Sequence, residues 1–504
     1  MKKIISKTTI LGVVILLLIS FSCNEDFLER HPLDQVSSEV FWSNENDVKM
    51  AVTGCYARLK GSFFDYQRGY LEGLTDNAFV HWGLYGIDNM AMGNINATSG
   101  GVKNNIYSSC FSGISQCNFV MGNIDNTADV DESIINNAKG EVRFLRALFY
   151  FELVNCFGDI PLYKETPEGV EEAKVEKSTK ADVLEFIHQD LDFAISNLPD
   201  KLYSDGHAVK GSAMALKTRV LLTEEKWTEA ASLAQQIISS GIFSLYDDYA
   251  SMFLNEGQAN NPEIMFACEY LSPDSYHSVY GMNIEYAKHI FLRKDLTDAF
   301  ECTDGLPISE SPLFDPDDPF ANRDPRHTYI VRNPIGTDWE GHYTYSSIDP
   351  AGVNQNRKYI DPEIPGDYAN AYLQDWNFIL LRYADVLLMY AEAKNEVDGP
   401  DQTVYDAINE VRARPSVNMP PVDQAKYNTK ELVRKFIRNE RRIEFAVEGI
   451  RYFDLKRWRI AHVVMPAIKN LVGDPYKFEE KHYYWPFPQN ELDRNPNLRQ
   501  TTGY

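Results

Sequence analysis

The chain reads RNERRIEFAVEGIRYFDLKRW from Arg438 to Trp458, and this stretch is the most informative part of the sequence. Acidic residues recur in it at every fourth position, which places their side chains on one face of a helix. Carboxylates arranged in this way repel one another unless basic side chains lie close by. Arg441 precedes Glu444 by three residues and Glu448 precedes Arg451 by three, so we expect each pair to form a salt bridge along a helix face.

A glycine interrupts the same stretch and is surrounded by apolar side chains. Phe445, Ile450, Phe453 and Leu455 are the apolar anchors around Gly449. A glycine at this place either ends a helix or lets two helices approach closely, because it lacks a Cβ atom. The stretch therefore predicts an amphipathic, salt-bridged pair of helices.

Helical periodicity recurs elsewhere, with apolar residues three and four positions apart. The segments with this pattern are Ala138–Cys156, Val209–Thr223, Trp227–Ile238, Arg382–Asn395, Thr403–Arg414 and Lys430–Val447. Helix pairs of about 34 residues, with alanines at the close contacts, are typical of tetratricopeptide-like repeats. The pairs lie far apart in the sequence, so such a scaffold would be interrupted by insertions. Periodicity alone leaves an unrelated bundle of helical hairpins as an equal alternative.

Two long regions, residues 60–115 and 242–375, are rich in Gly, Asn, Asp, Pro and aromatic residues. We expect little regular secondary structure in them, apart from short strands such as Glu263–Tyr270 and Thr328–Asn333. Loops of this length in a compact protein usually serve a function. These regions are therefore where we expect a ligand to bind.

The first 22 residues are typical of a signal peptide. Lys2, Lys3 and Lys7 precede an apolar run, Ile10–Ile19, that is shorter than the roughly 20 residues a membrane-spanning helix needs. A small residue then precedes Cys23, which resembles a lipoprotein cleavage site where the cysteine receives lipid chains. The alternative is an ordinary secreted protein in which Cys23 has no such role.

Residues 23–504 contain no Gly-, Ser- or Pro-rich linker, so we expect one large body, with an N-terminal region of about residues 24–240 and a C-terminal region of about residues 260–504. The formal net charge of the whole chain is −24. Nucleic-acid binding depends on Lys and Arg at the phosphates, so this charge argues against a nucleic-acid partner.

Cysteines and acidic clusters give little sign of a metal site. Cys55, Cys110, Cys117, Cys156, Cys268 and Cys302 form no CxxC pair and have no close His or Cys neighbours of the zinc-binding kind, so we expect mostly buried thiols. The acidic run of residues 315–318 lacks the Gly and distal Glu of an EF-hand loop, which favours a solvated turn over a calcium site. No cofactor is predicted.

The order of motifs closely resembles the SusD/RagB family of surface lipoproteins, which capture nutrients for outer-membrane transporters. The resemblance covers nearly all of residues 24–504 and includes the opening stretch. Its other motifs are Asp26–Glu29, Phe41–Trp42, Asp76–Asn77, Cys117–Asn118, Glu141–Ala147, Phe157–Leu162, Arg323–Arg326, Leu381–Val386, Trp485–Pro488 and Asn495–Leu498.

The resemblance implies a mainly α protein, with tetratricopeptide-like helix pairs forming a right-handed scaffold, long irregular loops and a few short strands. It implies a place on the cell surface, attached to the outer membrane through a lipid on Cys23. The partner it implies is a TonB-dependent transporter of the SusC class, to which an oligosaccharide, or in some members a peptide, is delivered. It implies no catalysis.

A neutral sugar offers hydroxyls at its edges and C–H groups on its faces, so its site needs aromatic platforms with hydrogen-bonding side chains around them. Two segments, residues 76–85 and 338–345, have this mixture. The candidate ligand-binding residues in them are Asp76, Asn77, Trp82, Tyr85, Trp339 and Tyr343, with Tyr345 as a further platform.

Two other classes of protein remain open. A surface glycosidase would need two carboxylates about 5–9.5 Å apart, a separation that sequence does not report. The chain has no nucleophile elbow, HExxH motif or phosphate-binding loop. An adaptor built of helical repeats, with no small ligand, is the second alternative, and the aromatic-rich loops argue against it.

Overall fold

The computed structural model describes residues 41–61, 63–272, 274–277, 281–332, 353–361, 374–470 and 473–504, with the side chains of Trp82, Asn283, Ile284 and Val353 outside this description. Most of its regular structure is helical. The helices are α1 (Glu45–Tyr56), α2 (Ile87–Ala91), α3 (Val102–Asn123), α4 (Glu132–Phe157), α5 (Lys180–Asn197), α6 (Lys210–Thr223), α7 (Trp227–Ser240), α8 (Asn255–Gln258), α9 (Gly281–His289), α10 (Lys294–Thr297), α11 (Pro325–Ile330), α12 (Tyr383–Asp398), α13 (Gln402–Arg412), α14 (Lys430–Glu444), α15 (Arg451–Arg457), α16 (Ala461–Val464) and α17 (Gln489–Arg494).

The strands and the 3-10 helices are short. The strands are β1 (Ala78–Val80), β2 (Ile160–Pro161), β3 (Lys177–Ser178), β4 (Ile264–Cys268), β5 (Ile290–Arg293), β6 (Val353–Gln355) and β7 (Phe378–Arg382). The 3-10 helices are Ala57–Leu59, Tyr66–Leu74, His81–Gly86, Ile124–Asn126, Ser251–Phe253, Met465–Ala467 and Glu480–Tyr483.

The long helices pack on one another in a continuous series. Helix α4 packs on α3 and on α5, and α6 packs on α5 and on α7. Helix α7 then packs on α12, although the loop-rich region of residues 242–375, called the insertion below, separates the two in the sequence. Helix α12 in turn packs on α13 and α14. Helix pairs interrupted by an insertion, as predicted from the periodicity, are therefore confirmed.

The predicted helix positions agree with the structure, but two predictions for the loop regions are wrong. Thr328 to Ile330 lies in helix α11, where a strand was predicted. The side chain of Asp324 accepts a hydrogen bond from the backbone N–H of Arg326, and Pro325 occupies the first turn. This capped start favours a helix over the β-branched composition that indicated a strand.

Helix α3 is the second exception, since residues 102–115 were expected to lack regular structure. Its Asn, Ser and Gly residues have low helix propensity, but its apolar side chains lie on one buried face. A Cβ atom on Gly113 would lie 2.5 Å from the ring of Phe149 in α4, so this glycine allows close packing of the two helices. Tertiary packing stabilises this helix against its local preference.

A three-stranded antiparallel sheet joins distant parts of the chain in the order β1-β5-β6. Phe79 pairs with Phe291, and Phe291 pairs on its other side with Gln355. The bridge between Val331 and Asn356 continues the sheet beyond β6. A separate pair, β4 with β7, leads directly into α12 and fixes the insertion to the helical scaffold.

The stretch that opens with Arg438 forms α14, a turn and α15, and its charges are buried. The predicted local salt bridges are wrong. Arg441 contacts Asp385 and Asp454, at 2.8 and 2.9 Å, and Arg451 contacts Asp76 at 2.8 Å. Helix α14 ends at Glu444, so the following residues do not continue its face, and buried side chains here reach partners on other elements.

Glu444 lies at the centre of a group of buried ion pairs. Its carboxylate accepts hydrogen bonds from Arg326 (2.8 Å), Arg382 (2.7 Å) and Arg414 (3.1 Å). Burial alone would raise the pKa of Glu444, but these three guanidinium groups hold it well below its usual range. We call the connected group the central charge cluster, and its members are Glu263, Glu301, Asp324, Arg326, Lys358, Arg382, Arg412, Arg414, Glu440, Glu444 and Glu448.

Gly449 lies in the turn between α14 and α15 with a φ of +69°. A Cβ atom there would lie 2.5 Å from the backbone oxygen of Arg68, so the glycine permits a close approach of two chain segments. This agrees with one of the two roles predicted for it. The six cysteines of the described residues are free and buried, as expected.

Candidate functional site

The segment His81–Gly86, called the aromatic loop below, follows β1 and forms a short 3-10 helix. Its backbone has positive φ at Gly83 (60°), Tyr85 (53°) and Gly86 (70°). For a tyrosine this conformation costs roughly 1–3 kcal/mol, and strain of this kind concentrates at ligand sites. The loop is therefore a candidate site on its backbone geometry as well as its composition.

Gly101, at the start of α3, lies against the backbone of the aromatic loop. A Cβ atom on Gly101 would lie 1.9 Å from the carbonyl oxygen of Tyr85, and the φ of this glycine is +78°. A larger residue would have to displace one of the two backbones. The shape of the loop thus depends on a contact with the helical scaffold.

Tyr85 is the predicted platform whose side chain the structure describes. Its ring is partly exposed, and its centroid lies 5.2 Å from that of Phe63 and 5.6 Å from that of Tyr70. Burial, and then the carboxylates of Glu285 and Asp65, raise the pKa of Tyr85 to about 12. The hydroxyl therefore stays protonated at neutral pH and can donate a hydrogen bond.

Further hydrogen-bonding groups lie next to Tyr85. The hydroxyl of Tyr70 donates to Oε2 of Glu285 at 2.7 Å, and Nε2 of His289 lies 3.7 Å from the same oxygen. Burial, and then the charges of Lys288 and His81, lower the pKa of His289 to about 4, so the ring is neutral at neutral pH. Tyr70 and His289 are buried, so the partly exposed carboxylate of Glu285 is the one of these three groups that can accept a hydrogen bond from a sugar hydroxyl.

Asp76 and Asn77 point into the protein and fix the start of β1, the strand that leads into the aromatic loop. The carboxylate of Asp76 accepts hydrogen bonds from Arg451 at 2.8 and 2.9 Å and lies 3.0 Å from Arg442. Asn77 accepts from Arg442 and donates to Glu72, each at 2.8 Å. We call these five residues the loop support. Their burial favours a structural role, and direct contact of Asp76 or Asn77 with a ligand stays a prediction.

The pKa values of the two loop-support carboxylates move in opposite directions. Burial would raise the pKa of Asp76, but the charges of Arg442 and Arg451 lower it to about 2. Burial raises the pKa of Glu72 to about 7, and its hydrogen bonds from Asn77 and from the backbone of Gly449 only partly oppose this. Glu72 is therefore the less well compensated of the two charges.

The remaining candidate residues lie outside the described part of the chain. They are Cys23, the indole of Trp82, and Trp339, Tyr343 and Tyr345. Segment 333–352 rejoins the described structure at strand β6, which is two strands away from β1 in the same sheet. The sheet therefore connects directly to both segments that were predicted to bind a ligand.

A pocket of about 180 Å³ lies at the opposite edge of this sheet, within residues 242–375, where ligand binding was expected, but the sequence analysis singled out none of the residues that line it. Its walls include the rings of Tyr249, Phe253, Tyr329 and Tyr359. These residues come from three separate segments, so no single stretch of sequence showed the pocket. The sequence signal for one wall of the pocket is the aromatic and acidic composition of residues 247–256.

Neither a metal centre nor a membrane span is found in the part of the chain that the structure describes. No group of three or more His, Cys, Asp or Glu side chains there is placed to hold a metal ion. The aspartates of the turn 315–318 are exposed to solvent. Within the same described ranges, every helix is too short or too polar to cross a membrane.

Comparisons with known proteins give one consistent family. The sequence profile described as the SusD family matches residues 256–504. A second profile, described as starch-binding associating with outer membrane, matches residues 26–222. A SusD-like protein of Formosa agariphila is 28% identical over 98% of this chain and 98% of that one.

Solved structures agree. The crystal structure of a SusD-like carbohydrate binding protein from Bacteroides fragilis is 27% identical, covers 91% of this chain and 100% of that one, and has a TM-score of 0.80. A second SusD-like protein from Bacteroides fragilis is 26% identical, covers 94% of this chain and 100% of that one, and also has a TM-score of 0.80. With both profiles and the whole-chain similarities in agreement, this chain belongs to the SusD family of carbohydrate-binding proteins.

Proposed function

We propose that this protein is a cell-surface lipoprotein that captures an oligosaccharide and passes it to a TonB-dependent outer-membrane transporter of the SusC class. The observation that carries the proposal is the aromatic loop. Its backbone is strained at Tyr85, and the ring of this residue is partly exposed beside hydrogen-bonding groups. The Bacteroides fragilis relative that is named a carbohydrate binding protein supports the class of ligand.

Capture needs platforms and hydrogen bonds but no covalent step. Tyr85 and Trp82 would stack on sugar faces from the aromatic loop, and Trp339 and Tyr343 would do so from the second segment. The sequence prediction places Asp76 among the polar residues that contact the ligand. Because its carboxylate is buried, Asp76 would act instead by positioning the aromatic loop. A site that is already rigid loses less conformational entropy when it binds.

Attachment and delivery use other parts of the chain. A lipid on Cys23 would anchor the protein to the outer membrane without spanning it. The profile described as associating with outer membrane supports this location. The continuous series of packed helices offers a broad rigid surface of the kind on which a transporter can dock.

The test is calorimetry of soluble protein lacking residues 1–23 against a panel of oligosaccharides and peptides. We expect at least one oligosaccharide to bind, and the variants Trp82→Ala, Tyr85→Ala and Trp339→Ala to weaken it. Phe119→Ala is the matched control, because this exposed ring lies on the outer side of α3, away from the aromatic loop. The control should bind like the unmodified protein.

Other outcomes would contradict the proposal. If a peptide binds and no oligosaccharide does, the captured ligand is a peptide. Hydrolysis of a glycan would make the protein an enzyme, and binding to the transporter alone would make it an adaptor. For the anchor, Cys23→Ala should move the full-length protein from the membrane fraction to the soluble fraction, and retention in the membrane would exclude the lipid at this position.

A further inference from the structure

The pocket at the far edge of the sheet has rigid aromatic walls, and we call it the tyrosine pocket. The ring of Tyr249 stacks against Tyr329 with centroids 6.3 Å apart, and it contacts Phe253 edge-on at 5.2 Å. Phe253 in turn meets the ring of Tyr359 at 4.9 Å. Each ring is thus held by another before any ligand arrives. Tyr249, Phe253 and Tyr359 are buried and support the pocket from behind, and Tyr329 is the partly exposed ring that a ligand can contact.

The floor of the tyrosine pocket is fastened to the central charge cluster. The hydroxyl of Tyr249 donates to the backbone oxygen of Glu444 at 2.7 Å. The ammonium group of Lys358 donates to Glu448 at 2.6 Å and to the Tyr249 hydroxyl at 2.8 Å. These partners occupy the buried lysine, so it is a structural part of the floor.

Tyr359 repeats a feature of the aromatic loop. Its φ is +63°, so this tyrosine also has a left-handed backbone conformation that costs roughly 1–3 kcal/mol. The two strained tyrosines, Tyr85 and Tyr359, belong to the two ends of one sheet. Successive strands are about 4.8 Å apart, so the two edge strands, β1 and β6, are separated by about 10 Å, more than the length of a single sugar ring.

Size and charge limit what the pocket can hold. Its volume of about 180 Å³ lies below the roughly 300–1,000 Å³ of pockets for drug-sized ligands, and it suits one six-membered sugar ring. Asp248, Glu256 and Asp361 surround it with carboxylates, against the guanidinium group of Arg357 and the occupied ammonium group of Lys358. This surplus of negative charge disfavours uronic acids and sulfated sugars.

We propose that the tyrosine pocket is a second saccharide subsite that binds one uncharged sugar residue, at an end or a branch of the captured oligosaccharide. The ring of Tyr329 covers one face of the sugar, and the carboxylate of Asp248 accepts from its hydroxyls. This inference rests on the proposed function, because it assigns a further subsite to the same ligand.

The experiment uses free monosaccharides as probes and saturation-transfer NMR on protein lacking residues 1–23. The probes are glucose, galactose, mannose and N-acetylglucosamine, each neutral, with glucuronate and galacturonate as their charged counterparts. We expect transfer to at least one neutral sugar and little to the uronates. Tyr329→Ala should reduce this transfer, Tyr329→Phe should keep it, and the control Phe119→Ala should leave it unchanged.

A second variant covers the case in which Tyr329→Ala fails to fold. Asp248 is exposed, so Asp248→Ala should fold normally and weaken binding about tenfold, the equivalent of the roughly 1.5 kcal/mol that a hydrogen bond to a charged group contributes. Transfer that is undiminished in both variants, transfer to uronates as strong as to neutral sugars, or no transfer to any neutral sugar would overturn the inference.

The same variants separate this inference from the proposed function. An oligosaccharide that loses affinity in Trp82→Ala or Trp339→Ala but keeps it in Tyr329→Ala would support capture and overturn the second subsite. An oligosaccharide panel without any binding would overturn the proposed function itself. Binding of the oligosaccharide that weakens in both sets of variants supports the two together.

Discussion

Glu444 and Glu72 are both buried carboxylates, yet their surroundings drive their pKa values in opposite directions. Glu444 receives hydrogen bonds from three arginines, and its pKa lies well below the usual range. Glu72 receives hydrogen bonds from an amide side chain and a backbone N–H, and burial raises its pKa to about 7. Burial is therefore compensated by opposite charge in the scaffold and only partly compensated behind the aromatic loop.

The difference separates a region in which buried charges stabilise the fold from a region in which a buried charge destabilises it. The central charge cluster connects α11, α14 and the end of β7, so it fixes the insertion to the helical series. The loop support carries a carboxylate with a raised pKa, Glu72, in the 3-10 helix Tyr66–Leu74, whose Tyr70 ring contacts that of Tyr85. Destabilising features of this kind are tolerated near binding sites because the surrounding structure imposes them.

The largest expected effect comes from breaking the compensated region. Glu444→Gln removes the charge that faces Arg326, Arg382 and Arg414, and leaves three buried guanidinium groups with less opposing charge. We expect the free energy of unfolding to fall by about 3–5 kcal/mol. Urea denaturation at pH 7 measures it, and a loss below about 1 kcal/mol would show that the arginines find other partners.

The next effect is a pH dependence that comes from Glu72. Between pH 4.5 and about 7 the folded protein keeps a proton on Glu72 that the unfolded chain has lost, so this residue makes stability fall as pH rises. The size is about 3 kcal/mol, which follows from a change of roughly 2.5 pKa units. Glu72→Gln should remove this part of the slope in urea denaturation followed against pH. Parallel curves for the two proteins would contradict the raised pKa.

A smaller and more local effect is expected from Gly101→Ala. The new methyl group would meet the carbonyl oxygen of Tyr85 and would also strain a backbone with φ of +78°. We expect a loss of roughly 1–3 kcal/mol together with weaker oligosaccharide binding. Gly100→Ala is the matched control, because nothing lies within 4 Å of a Cβ atom there. Equal behaviour of the two variants would mean that Gly101 does not hold the loop.

The smallest expected effect comes from breaking an exposed ion pair on helix α14. Lys435 and Glu431 form an ion pair at 3.2 Å, and their side chains are 69% and 71% exposed. Lys435→Ala should cost less than about 0.5 kcal/mol, because water and salt screen an exposed pair. A loss comparable with that of Glu444→Gln, in the same urea assay, would show that burial is not what separates the two pairs.

Periodicity was enough to predict the scaffold because the helices there bury one continuous apolar stripe. Helix α3 escaped prediction since its Asn, Ser and Gly residues favour other structures, and packing against Phe149 determines the outcome. The partners of Glu444 were unpredictable for a different reason: they lie 30, 62 and 118 residues away in the sequence.

The candidate site was predicted in part. The aromatic loop was located by its composition, and Tyr85 is indeed partly exposed. The inward orientation of Asp76 could not be predicted, because the local sequence around an acidic residue before a strand is the same whether its side chain faces water or a buried arginine. Its partners Arg442 and Arg451 lie more than 360 residues further on.

The position of Glu444 in the chain has a consequence for how a nascent polypeptide is checked. Arg326, Arg382 and Arg414 all leave the ribosome before Glu444 does. A prematurely truncated product that ends directly before this residue keeps Glu263, Asp324 and Glu440 but lacks the shared anion, so it would bury the three cations with less opposing charge. We expect such a product to be less stable than the complete chain and more open to proteases.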